Sequence, residues 1–136
     1  MNFLKKLFNS GDEAGRFRAA EEYAEQRASQ LRMTPQTLEA LRDCGVGDST
    51  NLRLEYFFYT DTEAKAQVLA QALEELGYAG AFHDSEHDPD LLVVTGWTSK
   101  IRMGDATVID WVGRMCDLGQ SHDCEFDGWG TNTQQP

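Results

Sequence analysis

Leu52-Arg53-Leu54-Glu55-Tyr56-Phe57-Phe58-Tyr59 runs straight into Thr60-Asp61-Thr62-Glu63, and the reading of this junction decides the fold. The first eight residues are dense in strand formers and alternate at their start. Thr60 and Glu63 stand at capping-box spacing, so a helix is expected from there to Leu76, with Gly77 ending it. Val68, Leu69, Ala72, Leu73 and Leu76 recur at helical spacing and form its expected buried stripe.

Outward from this βα unit the pattern continues. Tyr78–His83 reads as a short strand and Asp84–Asp90 as an acidic turn containing Pro89. Leu91-Leu92-Val93-Val94-Thr95 is a continuous apolar run, as an interior strand requires. Asp105 stands as the cap of a helix whose Val108, Trp111, Val112, Met115 and Leu118 face inward. Asp123–Phe126 is the last strand. The following stretch, Glu125-Phe126-Asp127-Gly128-Trp129-Gly130-Thr131, reads as a strand end passing into a turn, because its glycines supply backbone freedom.

Upstream, Phe17, Ala20, Ala24, Ala28 and Leu31 mark one face of a helix over Asp12–Arg32. Thr34-Pro35 opens a second helix, with Thr34 as N-cap, Leu38 and Leu41 as its inner edge and Gly45 as its stop. The order is therefore β-α-β-β-α-β after two leading helices. That is an α+β, split βαβ, ferredoxin-like sandwich: four strands in an antiparallel-containing sheet with two helices on one face. Right-handed crossovers put the first and third strands, the two most apolar, at the sheet centre. The expected divisions are a helical extension over 1–33, the sandwich domain over 34–131 and a polar tail over 132–136.

The 136-residue chain carries a formal charge of −11. Residues 1–32 hold six Lys/Arg against five Asp/Glu, so the acidity belongs to the remainder, where six basic residues face eighteen acidic ones. Such a body repels phosphate backbones, which disfavours direct nucleic-acid binding. It favours a basic protein partner through electrostatic steering. Cys44, Cys116 and Cys124 form no CxxC pair, and no apolar signal segment follows Met1–Phe8, so a reduced cytoplasmic setting is expected. Phe3, Leu4, Leu7 and Phe8 give the leader an amphipathic spacing that is short for stable membrane attachment.

The residues offer little for catalysis. His83 and His87 flank an acidic turn, where nothing enforces the geometry that a shared metal needs. Cys116 and Cys124 read as small buried hydrophobes, with His122 unpaired to either. Asp110 and Asp117 lie two turns apart on one helix, a solvated face and no acid–base pair. Gly77, Gly80 and Gly96 lack phosphate-loop spacing. Phe57, Tyr59 and Trp97 could stack on RNA, but the surplus carboxylates favour reading them as core. No enzyme, cofactor or metal is expected.

Leu41, Asp43, Gly45 and Asp48 before the first strand, Leu76-Gly77-Tyr78 after the capped helix, and Glu125-Phe126-Asp127-Gly128-Trp129-Gly130-Thr131 at the end together resemble the regulator of ribonuclease E activity B family. The resemblance spans roughly residues 36–131, and Asp-Gly-Trp-Gly-Thr is its most specific part. It implies an acidic, non-catalytic sandwich that binds an endoribonuclease or its degradation complex and lowers its activity by protein contact. Where the family pattern has an acidic tail, this sequence reads Gln134-Gln135-Pro136. Partner contact is expected at Phe126, Asp127, Gly128 and Trp129, and at Asp110 and Asp117. Trp129 suits either a structural seal of the sheet edge or an interface anchor. An immunity-type protein that neutralises a basic nuclease toxin is the alternative function of the same acidity.

Overall fold

A computed structural model of the chain describes residues 15–135. The Met1–Phe8 leader lies outside the described residues. The elements are α1 (Ala20–Asp43), β1 (Asn51–Leu52), β2 (Leu54–Thr60), α2 (Glu63–Glu75), β3 (Ala79–Asp84), β4 (Leu92–Trp97), β5 (Ile101–Arg102), α3 (Asp105–Ser121) and β6 (Glu125–Thr131). The chain is thus mixed α and β, with two antiparallel sheets. One has the order β3-β4-β2-β6, and the other pairs β1 with β5.

β2 is the central strand. Leu54, Tyr56, Phe58 and Thr60 are fully buried on one face, while Glu55, Phe57 and Tyr59 alternate onto the other. This is the period-2 signature of a sheet covered on one side. Ala66, Leu69 and Leu73 of α2 and Val108, Trp111, Val112 and Met115 of α3 complete a single core against the buried face. Phe58 packs edge-tilted on Phe126 at 5.2 Å, and Trp111 stands perpendicular to both Phe126 and Trp129.

Glycines at two contact points let the layers close. A Cβ on Gly119 would lie 2.5 Å from the Cys124 carbonyl oxygen and 2.9 Å from the Phe58 ring. One on Gly96 would lie 1.8 Å from the Ala79 carbonyl oxygen, on the adjacent strand.

Several sequence expectations are corrected here. The two leading helices are one helix, α1, which continues through Pro35. Proline removes one backbone donor and normally stops a helix. Here the side chains on both sides of it are anchored, with buried Thr34 accepting from Trp129 Nε1 at 3.4 Å and Leu38 buried in the core. Tertiary packing overrides the local stop. The buried stripe of α1 is also rotated from the alanine face: Tyr23, Gln30, Thr34 and Leu38 are buried, and Ala20, Ala24 and Ala28 are exposed.

The cap of α2 is Thr62, whose hydroxyl accepts from the Lys65 amide at 3.3 Å. Thr60 is the last residue of β2 instead, buried and donating to the Asp123 carbonyl at 2.9 Å. Val68 and Leu76, read as part of the buried stripe, are 50% and 55% exposed. Gly104, and not Asp105, caps α3. The final strand runs on to Thr131, through the expected turn, because Gly128 at φ 136° absorbs a bulge opposite Phe57 and Phe58. Gly45 and Gly77 end their helices at positive φ, as read from sequence.

Candidate partner-binding surface

The helix-bearing face, the β6 edge and the opposite sheet face present different chemistry. α1 lies along α3 and over the β6 edge, with Leu38 in the core and a seam of polar contacts beside it. Gln26 donates to the Phe126 carbonyl at 3.0 Å, and Trp129 Nε1 donates to Thr34 Oγ1 at 3.4 Å. Arg27 donates to both carboxylate oxygens of Asp117, at 2.9 and 3.3 Å. That bond holds the guanidinium above its ordinary pKa. Gly113 leaves the space over which Arg27 lies, since a Cβ there would sit 3.0 Å from its terminal nitrogen.

Asp123 anchors the start of the described chain. Its carboxylate accepts from the Phe17 amide at 2.5 Å, the Tyr23 hydroxyl at 2.7 Å and the Lys65 ammonium at 2.8 Å. Burial alone would push this carboxyl up, but the donors outweigh it and hold it below its ordinary 3.8. Burial and then Asp123 push the Tyr23 hydroxyl well above its ordinary range. Asp123 also sits at φ 55°, a conformation that Asn shares readily.

A depressed carboxyl stabilises the fold above its unfolded value, and that contribution fades as pH falls from 3.8 through the folded value. Asp123→Asn keeps the backbone and loses the charge. We expect it to cost about 1–2 kcal/mol at neutral pH. It should also flatten the acid limb of urea midpoints measured between pH 5 and pH 2.5. A variant that matches the parent along the whole limb would contradict this anchor.

The sequence-selected residues fall into different environments. Phe126 is 1% exposed and belongs to the core. Trp129 is half-buried between Trp111 and Thr34. Asp127 and Gly128 form the bulge and, with Trp129, Gln30, Met33 and Thr37, line a cleft of about 240 Å³ between β6 and α1. Asp127 has no ion pair among the described residues, and desolvation pushes its carboxyl up. Asp110 pairs with Arg114 at 2.9 Å and Asp117 with Arg27, on the exposed side of α3. The bulge and the cleft therefore join Asp127, Gly128 and Trp129, while Asp110 and Asp117 each hold a cation of their own.

The sheet face opposite the helices was read as core and is not. Phe57, Tyr59 and Trp97 stand outside the core cluster, and Trp97 is 36% exposed. α1 packs on α3 and β6 and leaves this face uncovered. His83 and His87 are exposed, and among the described residues no group of three or more His, Cys, Asp or Glu side chains is arranged to hold a metal. Burial pushes the Cys116 and Cys124 thiols up to about 12, so both are inert apolar groups at neutral pH. No helix among the described residues is long and apolar enough to cross a membrane.

Sequence reasoning missed the polar seam of α1. Tyr23, Gln26, Arg27, Gln30 and Thr34 recur at three- and four-residue steps, a signal hidden because apolar periodicity was the property followed. Comparison with curated proteins finds no match. Residues 31–131 match the family described as regulator of ribonuclease activity B, and that span contains the whole sheet and the Asp127-Gly128-Trp129 bulge. The chain belongs to the regulator of ribonuclease activity B family.

Proposed function

We propose that this protein is a non-catalytic regulator that binds an endoribonuclease of the ribonuclease E type, or its degradation complex, in the cytoplasm and lowers its activity by protein contact. The observation that carries the reading is the family match over residues 31–131. The strand order and the common helix layer support reading the sheet as a split βαβ, ferredoxin-like sandwich, with the extension before residue 34 sharing its first helix. The acidic body suits docking on the basic, RNA-handling surface of a nuclease.

The proposed contact surface is the bulge and its neighbours: Asp127, Gly128 and Trp129, with Asp110 and Asp117 on the flanking helix and Phe126 supporting it from the core. Asp127 is suited to a partner cation, being an exposed carboxylate with no ion pair to a Lys or Arg of the described residues.

Purified protein titrated into the endoribonuclease of its own cell should slow cleavage saturably. Binding should weaken as salt rises from 50 to 300 mM, since steered acidic docking is screened. Salt-independent binding would remove the electrostatic part of the reading. Very tight one-to-one capture of a nuclease toxin, with no effect on the cellular enzyme, would favour the immunity-type alternative.

A further inference from the structure

The four-stranded sheet has two edges, and only one is closed. α1 covers the β6 edge, where Gln26 takes the Phe126 carbonyl. Along β3 five of six residues are exposed, and no strand of the described residues pairs with its outer side. We propose that this β3 edge receives an extended segment of the ribonuclease by strand addition, the segment carrying Lys or Arg around apolar residues. The inference rests on the reading of the partner given above.

The edge is built to pair. β3 keeps continuous register with β4 from Ala79↔Trp97 to Asp84↔Leu92, without a bulge. It contains none of the Lys, Pro or bulge devices that usually blunt an edge. The Ser85 amide donates to the Leu91 carbonyl at 2.9 Å, which fixes the phase of the ladder. By antiparallel alternation, Gly80, Phe82 and Asp84 therefore turn their backbone N–H and C=O groups outward, although the Asp84 carbonyl already has His83 Nδ1 at 2.9 Å. These are the groups that an added strand would engage.

Side chains set what can be added. On the open face Ala79 and Ala81 present only methyl groups, and beyond Ala79 in the ladder stands exposed Trp97. A long apolar side chain on the incoming strand can lie over Ala79 and reach the indole, given a strand spacing of about 4.8 Å. Leu76, 55% exposed, ends α2 just before the strand begins.

Charge selects the occupant. From residue 66 to residue 99 the chain has no Lys or Arg, yet carries Glu74, Glu75, Asp84, Glu86, Asp88 and Asp90. None of these six carboxylates makes an ion pair among the described residues. Glu74 and Glu75 precede β3, Asp84 is its last residue and Glu86, Asp88 and Asp90 follow it, so both ends of the edge are negative. A second copy fits poorly. Antiparallel self-pairing would set Glu74 and Glu75 of one copy against the acidic turn of the other, and parallel self-pairing would set Asp84 against Asp84. RNA is repelled by the same charges.

The test uses the intact protein and the intact endoribonuclease from its cell, with binding followed by fluorescence anisotropy. Ala81→Lys places an edge lysine on an exposed position, and Asp84→Pro removes one outward donor. Each should weaken binding by at least about tenfold. Ser49→Lys, the same charge change on an exposed loop, should alter it less than about threefold. In the complex, amide exchange at Gly80, Phe82 and Asp84 should slow. Parent-like binding by both edge variants, with those three amides unprotected, would overturn the strand addition and leave the regulator reading standing. A parent protein that binds no endoribonuclease would overturn both. A self-dimer abolished by Ala81→Lys would also overturn the proposal, by giving the edge to a second copy.

Discussion

Gly96→Ala should destabilise the protein by at least about 3 kcal/mol, lowering its melting temperature by about 10 °C or more. The added methyl would fall 1.8 Å from the Ala79 carbonyl oxygen and 2.5 Å from the Gly80 Cα. Both are backbone atoms of the neighbouring strand, so no side-chain rotation relieves the overlap. β3 and β4 must separate, and the ladder from Ala79↔Trp97 to Asp84↔Leu92 loosens with them. Tyr56 lies beneath this pair and donates its hydroxyl to the Ala79 carbonyl at 3.1 Å, so that bond is also put at risk. Gly80→Ala should cost less, because its methyl meets first the Tyr56 hydroxyl, which is the end of a side chain. Gly130→Ala meets nothing within 4 Å and should stay within about 0.5 kcal/mol of the parent. Thermal melts of the three variants give the ranking directly; a harmless Gly96→Ala would mean the two strands are further apart than described.

Trp129→Ala should cost about 2–3 kcal/mol while leaving the fold intact. The indole is half-buried, stacks edge-on against Trp111 at 6.2 Å and donates to Thr34, so it ties β6 to both α1 and α3. Its loss leaves a gap at the α1–β6 seam, but Phe126, Phe58 and Tyr56 still fill the centre. Both roles open for this tryptophan can then be separated. Binding assayed well below the lowered melting temperature should fall further than Trp129→Phe, which keeps an aromatic contact and loses only the indole donor. If the alanine variant binds as tightly as the parent once folded, Trp129 seals the edge and nothing more.

The mixture of strands and helices and the four longer strands were legible because their signals are local and strong, while the two-residue strands β1 and β5, too short to show a period, were not. β2 and β4 are the most apolar runs, Gly45 and Gly77 stand where helices must end, and α3 shows a clean inward stripe. What failed did so for physical reasons. Thr34-Pro35 carries the chemistry of a helix start, but the side chains of Tyr23, Gln26, Arg27 and Gln30 and of Thr34 and Leu38 use one continuous helix to reach β6 and α3. Thr60 has the spacing of a cap but is needed by the Asp123 carbonyl. Gly128-Trp129-Gly130 has the composition of a turn, yet β2 supplies a pairing partner that no local rule contains. At the candidate surface, acidity and the Asp-Gly-Trp-Gly-Thr stretch were visible in sequence. The pairing of Asp117 was not, because Arg27 reaches it only in three dimensions; Asp110 and Arg114, at i and i+4 of one helix, were a local pair that the reading passed over.

The most direct measurement is a cleavage assay of the purified endoribonuclease with increasing amounts of this protein, at 50 and 300 mM salt. RNA cleavage should slow to a saturating limit, with more protein needed at the higher salt, and the protein alone should turn over no RNA. Cleavage rates unchanged at every concentration, with no complex detectable at low salt, would contradict it.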